Sequence, residues 1–144
     1  MTPKPTAGYS GKSLAAKLGI REGMRVATRD APRQYRSLLA PLPRGVSLGA
    51  TPARADVVHV FVEWRSELVA RMATLAPALR DDAALWVSWP KRASGRETDV
   101  TEQVLRDVVL PLGLVDVKVC AVDDTWSGLK FVRRLRNRSK PSPA

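Results

Sequence analysis

Hydrophobic positions along the chain alternate between short, nearly continuous runs and longer stretches in which apolar residues recur every three or four positions. The clearest run, Asp56 to Val62 (DVVHVFV), is apolar at almost every position and predicts a strand buried on both faces, as in a parallel sheet. Met24 to Thr28 (MRVAT) and Leu85 to Trp89, closed by Pro90, predict two further strands, and Val46 to Leu48 a weak one on an edge. Leu114 to Val122 and Leu129 to Arg133 predict a terminal hairpin turning through Asp123-Asp124-Thr125-Trp126-Ser127-Gly128. Helical spacing fills the intervals. Ser10 to Leu18 is stopped by Gly19, and a helix from Pro32 or Arg33 to Leu39 is ended by Pro41 and Pro43. Ser66 to about Ala76 carries Leu68, Met72, Leu75 and Leu79 on one face, with Ser66 as cap and Pro77 ending or distorting the helix. Val100 to about Leu110 has Asp99 as N-cap, Glu102 in a capping box, and Val104, Leu105, Val108 and Leu112 facing inward.

Strands alternating with helices and closing on a hairpin predict an α/β fold: a three-layer Rossmann-like sandwich with a mostly parallel sheet of about six strands. The expected sheet order is 2-1-3-4-6-5, with the sixth strand antiparallel. Residues 1–8 read as a disordered lead-in, 9–133 as a single domain, and 134–144 as a basic flexible tail. A chain of 144 residues, 44% hydrophobic, is large enough for one core. No apolar run approaches the ~20 residues that span a bilayer, and the N-terminal stretch has no signal-peptide core, so a cytoplasmic protein without a membrane partner is expected.

Charge changes this picture only after it is located. The net charge is +10, of which residues 1–54 carry +8, residues 55–132 carry −3 and residues 133–144 carry +5. Arginine far outnumbers lysine, a bias that GC-rich coding also produces, and this weakens net charge as a sign of a polyanion partner. One cysteine, Cys120, in a strand pattern excludes a disulfide framework and reads as a buried inert thiol. One histidine, His59, in the middle of the strongest strand reads as a packed or hydrogen-bonded core residue, with no second histidine to share a metal. Gly11-Lys12-Ser13 is not a phosphate-binding loop, because Thr6 stands where its first glycine is needed and no strand precedes it. No nucleophile has a catalytic context, so binding is favoured over catalysis, and neither cofactor nor metal is expected.

The order of elements from Met24 to Arg133 resembles a shortened Rossmann-like methyltransferase, which also ends in a helix, a strand and a returning antiparallel strand. That resemblance implies a glycine-rich turn after the first strand. Here the turn reads Arg29-Asp30-Ala31-Pro32, without glycine, and no acidic residue tips the second strand to hold a ribose. The stretches YSGKSLAAKLGI, ADVVHVFV, ALWVSWPK and GLVDVKVCAVDDTWSGLKFVRR also resemble a family of short bacterial proteins of unknown function, from which they depart in being less apolar at Thr28-Arg29-Asp30. This implies a single cytosolic domain and no catalytic residues to carry over.

Ligands of open α/β sheets collect outside the carboxyl ends of the strands. That edge should receive Arg29 and Asp30, then Glu63, Trp64 and Arg65, then Trp89, Lys91 and Arg92, and finally Asp123, Asp124 and Trp126. One rim would gather three tryptophans with charges of both signs. Lys91, Arg92 and Arg96 suit an anion or nucleotide, Ser94 and Gly95 offer further donors, and a tryptophan can stack on a base. The alternative is structural: Lys91 and Arg92 pair with Asp123 and Asp124 while the tryptophans cover sheet edges. Partners implied are an anionic small molecule, a protein, or nucleic acid held by the basic first third and by Arg133, Arg134, Arg136, Arg138 and Lys140.

Overall fold

The computed structural model describes residues 12–138. Five strands, β1 (Val26–Arg29), β2 (Val57–Phe61), β3 (Ala84–Pro90), β4 (Leu114–Ala121) and β5 (Trp126–Arg133), form one sheet in the order β1-β2-β3-β5-β4. The pairs β1–β2 and β2–β3 are parallel, and β5 runs antiparallel to both β3 and β4. Val46 to Leu48 does not reach strand length. It contributes one parallel bridge, Arg25 with Ser47, at the place in the order where the second of six strands was expected. Its neighbours Gly45 and Gly49 bracket too few residues to extend a ladder.

Strict alternation along the central strands explains why helices cover both faces. Val58 and Val60 of β2, Leu85, Val87 and Trp89 of β3, and Leu129 and Phe131 of β5 pack against α3 (Arg65–Ala78) and α4 (Glu102–Val109). Val57, Phe61, Trp86 and Trp126 point the other way, against α1 (Leu14–Lys17) and α2 (Tyr35–Leu39). Both helices of that second layer are shorter than their sequence patterns. Ser13 Oγ accepts from Ala16 N, so α1 begins at Leu14, and Gly19 stops it at φ 77°.

Two helix starts differ from expectation. Ser66 does not cap α3. Glu67 does, one Oε1 accepting from Glu63 N and Trp64 N at 2.9 Å each. Nor does Asp99 cap α4: Thr101 Oγ1 accepts from Val104 N, while Asp99 Oδ1 accepts from Arg65 N at 2.6 Å and so caps its neighbour α3. Pro77 lies within the last turn of α3 rather than ending it at Ala76, and the carbonyls of Ala76 and Leu79 accept from Arg133 Nη2 at 2.9 and 3.0 Å. Arg133, whose Nε also lies 3.3 Å from Asp81, is thus a helix-terminating residue and not a free cation of the tail.

At the centre of the α1/α2 face lies a buried polar line. His59 Nδ1 is 2.8 Å from Tyr35 Oη and its Nε2 is 2.8 Å from Ser88 Oγ, so either neutral tautomer uses both ring nitrogens. The ring also stacks on Phe61 at 4.3 Å and meets Tyr35 edge-on at 5.3 Å. Burial pushes the imidazole down to about 3 and the Tyr35 phenol up. The reading of His59 as a hydrogen-bonded core residue matches this placement. Gly128 of β5 faces the same layer and has no room for a side chain: an added Cβ would stand 3.3 Å from Trp86 Cε3 and from Val122 Cγ2.

These arrangements set two stability expectations. Because the folded His59 value lies below the ordinary value of 6.5, the neutral ring costs nothing above pH 6.5. Below that, stability falls by about 1.4 kcal/mol per pH unit towards pH 3. Urea unfolding of wild type and His59→Gln between pH 7 and pH 4.5 should show a flatter dependence in the variant; equal slopes would refute a neutral buried ring. Gly128→Ala should lower the unfolding free energy in the same urea experiment by about 1–3 kcal/mol, since both crowded neighbours are buried.

Candidate functional site

The carboxyl edge of the sheet carries most of the expected residues, but strand parity divides them between two clefts. Trp89, 7% exposed, faces the α3/α4 side, whereas Trp126, 6% exposed, faces α1/α2. Trp126 pairs with Pro90 and Trp89 with Ser127, so the two indoles cannot share one face. The single rim with three tryptophans is therefore corrected to two sites that meet at Arg96.

The larger cleft, about 880 Å³, opens between the loop after β3 and the first turns of α3 and α4. Trp64 and Trp89 form its apolar walls, Arg92, Arg96 and Arg106 line it with positive charge and Glu97 and Glu102 with negative, and Thr98 and Gln103 add polar groups. Trp64 is 42% exposed, unusual for the largest apolar side chain. Arg106 is committed to Glu102 at 3.0 Å and Asp116 at 3.1 Å, and Arg96 to Glu63 at 3.1 Å. Arg92 has no carboxylate partner among the described residues. Neither it nor Lys91 pairs with Asp123 or Asp124, as the structural alternative required. The loop itself is stiff. Ser94 Oγ donates to the Lys91 carbonyl at 2.6 Å and accepts from Arg96 N at 3.2 Å, Gly95 takes φ 75°, and Thr98 Oγ1 donates to the Glu63 carbonyl.

The smaller cleft, about 380 Å³, lies on the crevice where the chain leaves β1 for one side of the sheet and returns as β2 on the other. Asp30, Glu63 and Glu67 rim it, with Gln34, Phe61, Trp126 and Arg96. Asp30 adopts φ 61°, a left-handed conformation that aspartate tolerates, and its carboxylate is held by Arg71 at 2.8 Å. Arg96 closes the cleft from above, its guanidinium 5.2 Å from the centre of the Trp126 ring. Asp123 lines neither cleft; its Oδ1 accepts from Thr125 N and Trp126 N at 2.8 Å each and builds the hairpin turn.

Other expected residues lie elsewhere. Arg29 donates to its neighbour's carbonyl and lines a separate cavity of about 290 Å³ with Thr51, Pro52 and Arg71. Lys91 joins the hairpin through its backbone, donating to Thr125 O at 2.7 Å. Cys120 is half-buried rather than fully so, and burial pushes its thiol up. Arg138 donates to the Arg133 carbonyl at 3.1 Å, Arg134 is half-buried, Arg136 is exposed, and Lys140 lies outside the described residues. Reading the sequence missed Arg106 and Gln103; their i, i+3 spacing on one side of α4 was the available signal. Among the described residues no cluster of His, Cys, Asp and Glu could hold a metal ion, and no helix is long and apolar enough to cross a membrane.

No family model and no curated protein matches the chain. Solved structures do. A putative type 11 methyltransferase from Sulfolobus solfataricus matches with TM-score 0.56 and 11% identity, covering 91% of this chain and 93% of that one. A SAM-dependent methyltransferase from Aquifex aeolicus gives 0.55 and 13%, covering 82% and 86%. The mitomycin 7-O-methyltransferase MmcR gives 0.58 and 11% over 78% of this chain, which spans about half of that enzyme (49%). At such identities the likeness is one of architecture, and it agrees with strand order and direction: the chain has the α/β Rossmann-like fold of SAM-dependent methyltransferases.

Proposed function

We propose that this chain is a non-catalytic binding domain built on a methyltransferase frame, taking a small anionic ligand with a flat ring in the cleft lined by Trp64, Trp89 and Arg92. The carrying observation is that cleft: Arg92 is an uncommitted guanidinium beside an exposed indole, and its neighbours Arg96 and Arg106 are already fixed by carboxylates. A ring can stack on Trp64 while a phosphate meets Arg92, a pairing that gives orientation as well as affinity.

The same considerations argue against methyl transfer at the β1–β2 crevice. The turn after β1 has Asp30 where a close backbone approach calls for glycine, and three carboxylates rim the space. Asp30 is also bound by Arg71, so emptying the crevice for a cofactor would break an ion pair.

Tryptophan fluorescence provides the test, since Trp64 forms a wall of the cleft. Titration with ATP or NAD should give a saturable change, and Arg92→Ala should weaken it by about tenfold or more, the usual loss for a charged hydrogen bond. S-adenosylhomocysteine should leave the signal unchanged. Saturable binding of S-adenosylhomocysteine, or silence toward every anion, would reject this reading.

A further inference from the structure

Three guanidinium groups and two carboxylates line the tryptophan cleft, and most of them are already matched. Arg96 is held by Glu63, and Arg106 by Glu102 and Asp116. Two charges remain. Arg92 has no carboxylate partner among the described residues, and Glu97 has no cationic one there. Nor do they pair with each other, although both line the same space. The loop between them is held in one shape. Gly95 turns it at φ 75°, Ser94 Oγ accepts from Arg96 N at 3.2 Å, and Thr98, next to Glu97, is tied to the Glu63 carbonyl. This arrangement sets a condition on any occupant. An anion without a positive group meets Arg92 but is repelled by Glu97, and inside a cleft such repulsion is screened less than on an open surface. A cation without a negative group meets the opposite difficulty.

We infer that the cleft selects a phosphorylated ligand whose flat ring is cationic, with Arg92 on the phosphate, Trp64 on the ring face and Glu97 on the ring's charge. Such a ligand satisfies both unmatched groups at once. It also suits Trp64, because an indole attracts a cationic ring more strongly than a neutral one. The selection rests on the reading of the cleft as a binding site and narrows its ligand from anions in general to a molecule carrying both signs. The two charged residues then have different tasks. Arg92 provides affinity for any phosphate, whereas Glu97 determines which ring is accepted, by attracting a positive one and repelling further negative charge.

Nicotinamide mononucleotide is a suitable probe, because its oxidised form has a cationic ring and its reduced form a neutral one of similar size on the same ribose phosphate. Binding is followed by calorimetry at low salt, since the reduced ring absorbs where tryptophan emits. The oxidised form should bind about tenfold tighter, the combined effect of one exposed ion pair and one cation–π contact. Glu97→Gln should cut that preference to about threefold, the share supplied by the indole. The same variant should tighten ATP binding by about two- to threefold, because it removes a repulsion. Opposite shifts for the two ligands are not what a merely structural residue would produce. Glu97 is exposed and unpartnered among the described residues, so the variant should fold as wild type does. Arg92→Ala should weaken both forms of the probe equally and leave their ratio near tenfold. Equal binding of the two forms, or a ratio unmoved by Glu97→Gln, would overturn the selection for a cationic ring and leave the broader cleft reading standing. Silence toward both forms and toward ATP would overturn the two together.

Discussion

The neutral imidazole of His59 is the constraint on which the rest of the structure depends. His59 and Ser88 are the polar side chains wholly buried in the sheet, and they satisfy each other. Tyr35 completes the line from α2, a helix of five residues that could not persist on its own propensity. From Tyr35 the contacts continue as aromatic edges: Tyr35 against Phe61 at 5.7 Å and Phe61 against Trp126 at 5.1 Å. The position of Trp126 at the rim, and with it the resting place of Arg96, follows from a hydrogen-bonded line deep in the domain.

Much of the fold was legible because burial on two faces leaves a strong trace. The uninterrupted apolar run of β2 and the Trp-rich β3 ending in Pro90 appear where the sequence places them; the final hairpin does too, except that β5 starts at Trp126, within the expected turn, and the expected order 2-1-3-4-6-5 survives with its second member reduced to the Arg25–Ser47 bridge. Helix caps were harder to read. Ser66 and Asp99 both have the chemistry of a cap, yet Glu67 and Thr101 occupy the geometry, and Asp99 serves a helix 34 residues away in sequence. Nothing local distinguishes those outcomes, because the competition is decided by tertiary packing.

The candidate site was legible as a list and illegible as a shape. The carboxyl-edge rule brings Trp64, Trp89, Arg92, Arg96 and Trp126 to the same end of the sheet, where they divide between two clefts. Which face each indole takes depends on the pairing register of β3 with β5, and register is a long-range property. Likewise the cross-strand pairing of Lys118 with Lys130 exists only once the bulge between Asp116 and Lys118 has shifted β4 along its partner. The partners of His59 could not be named either, since Tyr35 and Ser88 lie 24 and 29 residues away from it in the chain.

The loop between β3 and α4 is sewn to the start of α3 at two points, by Thr98 on the Glu63 carbonyl and by Asp99 on the Arg65 amide. The wall and the floor of the tryptophan cleft are consequently one mechanical unit. An occupant meets a surface that has already surrendered its conformational freedom during folding, so little ordering entropy remains to oppose its arrival. Such a cleft discriminates by shape, accepting what fits between its indoles and refusing what would need the loop to yield.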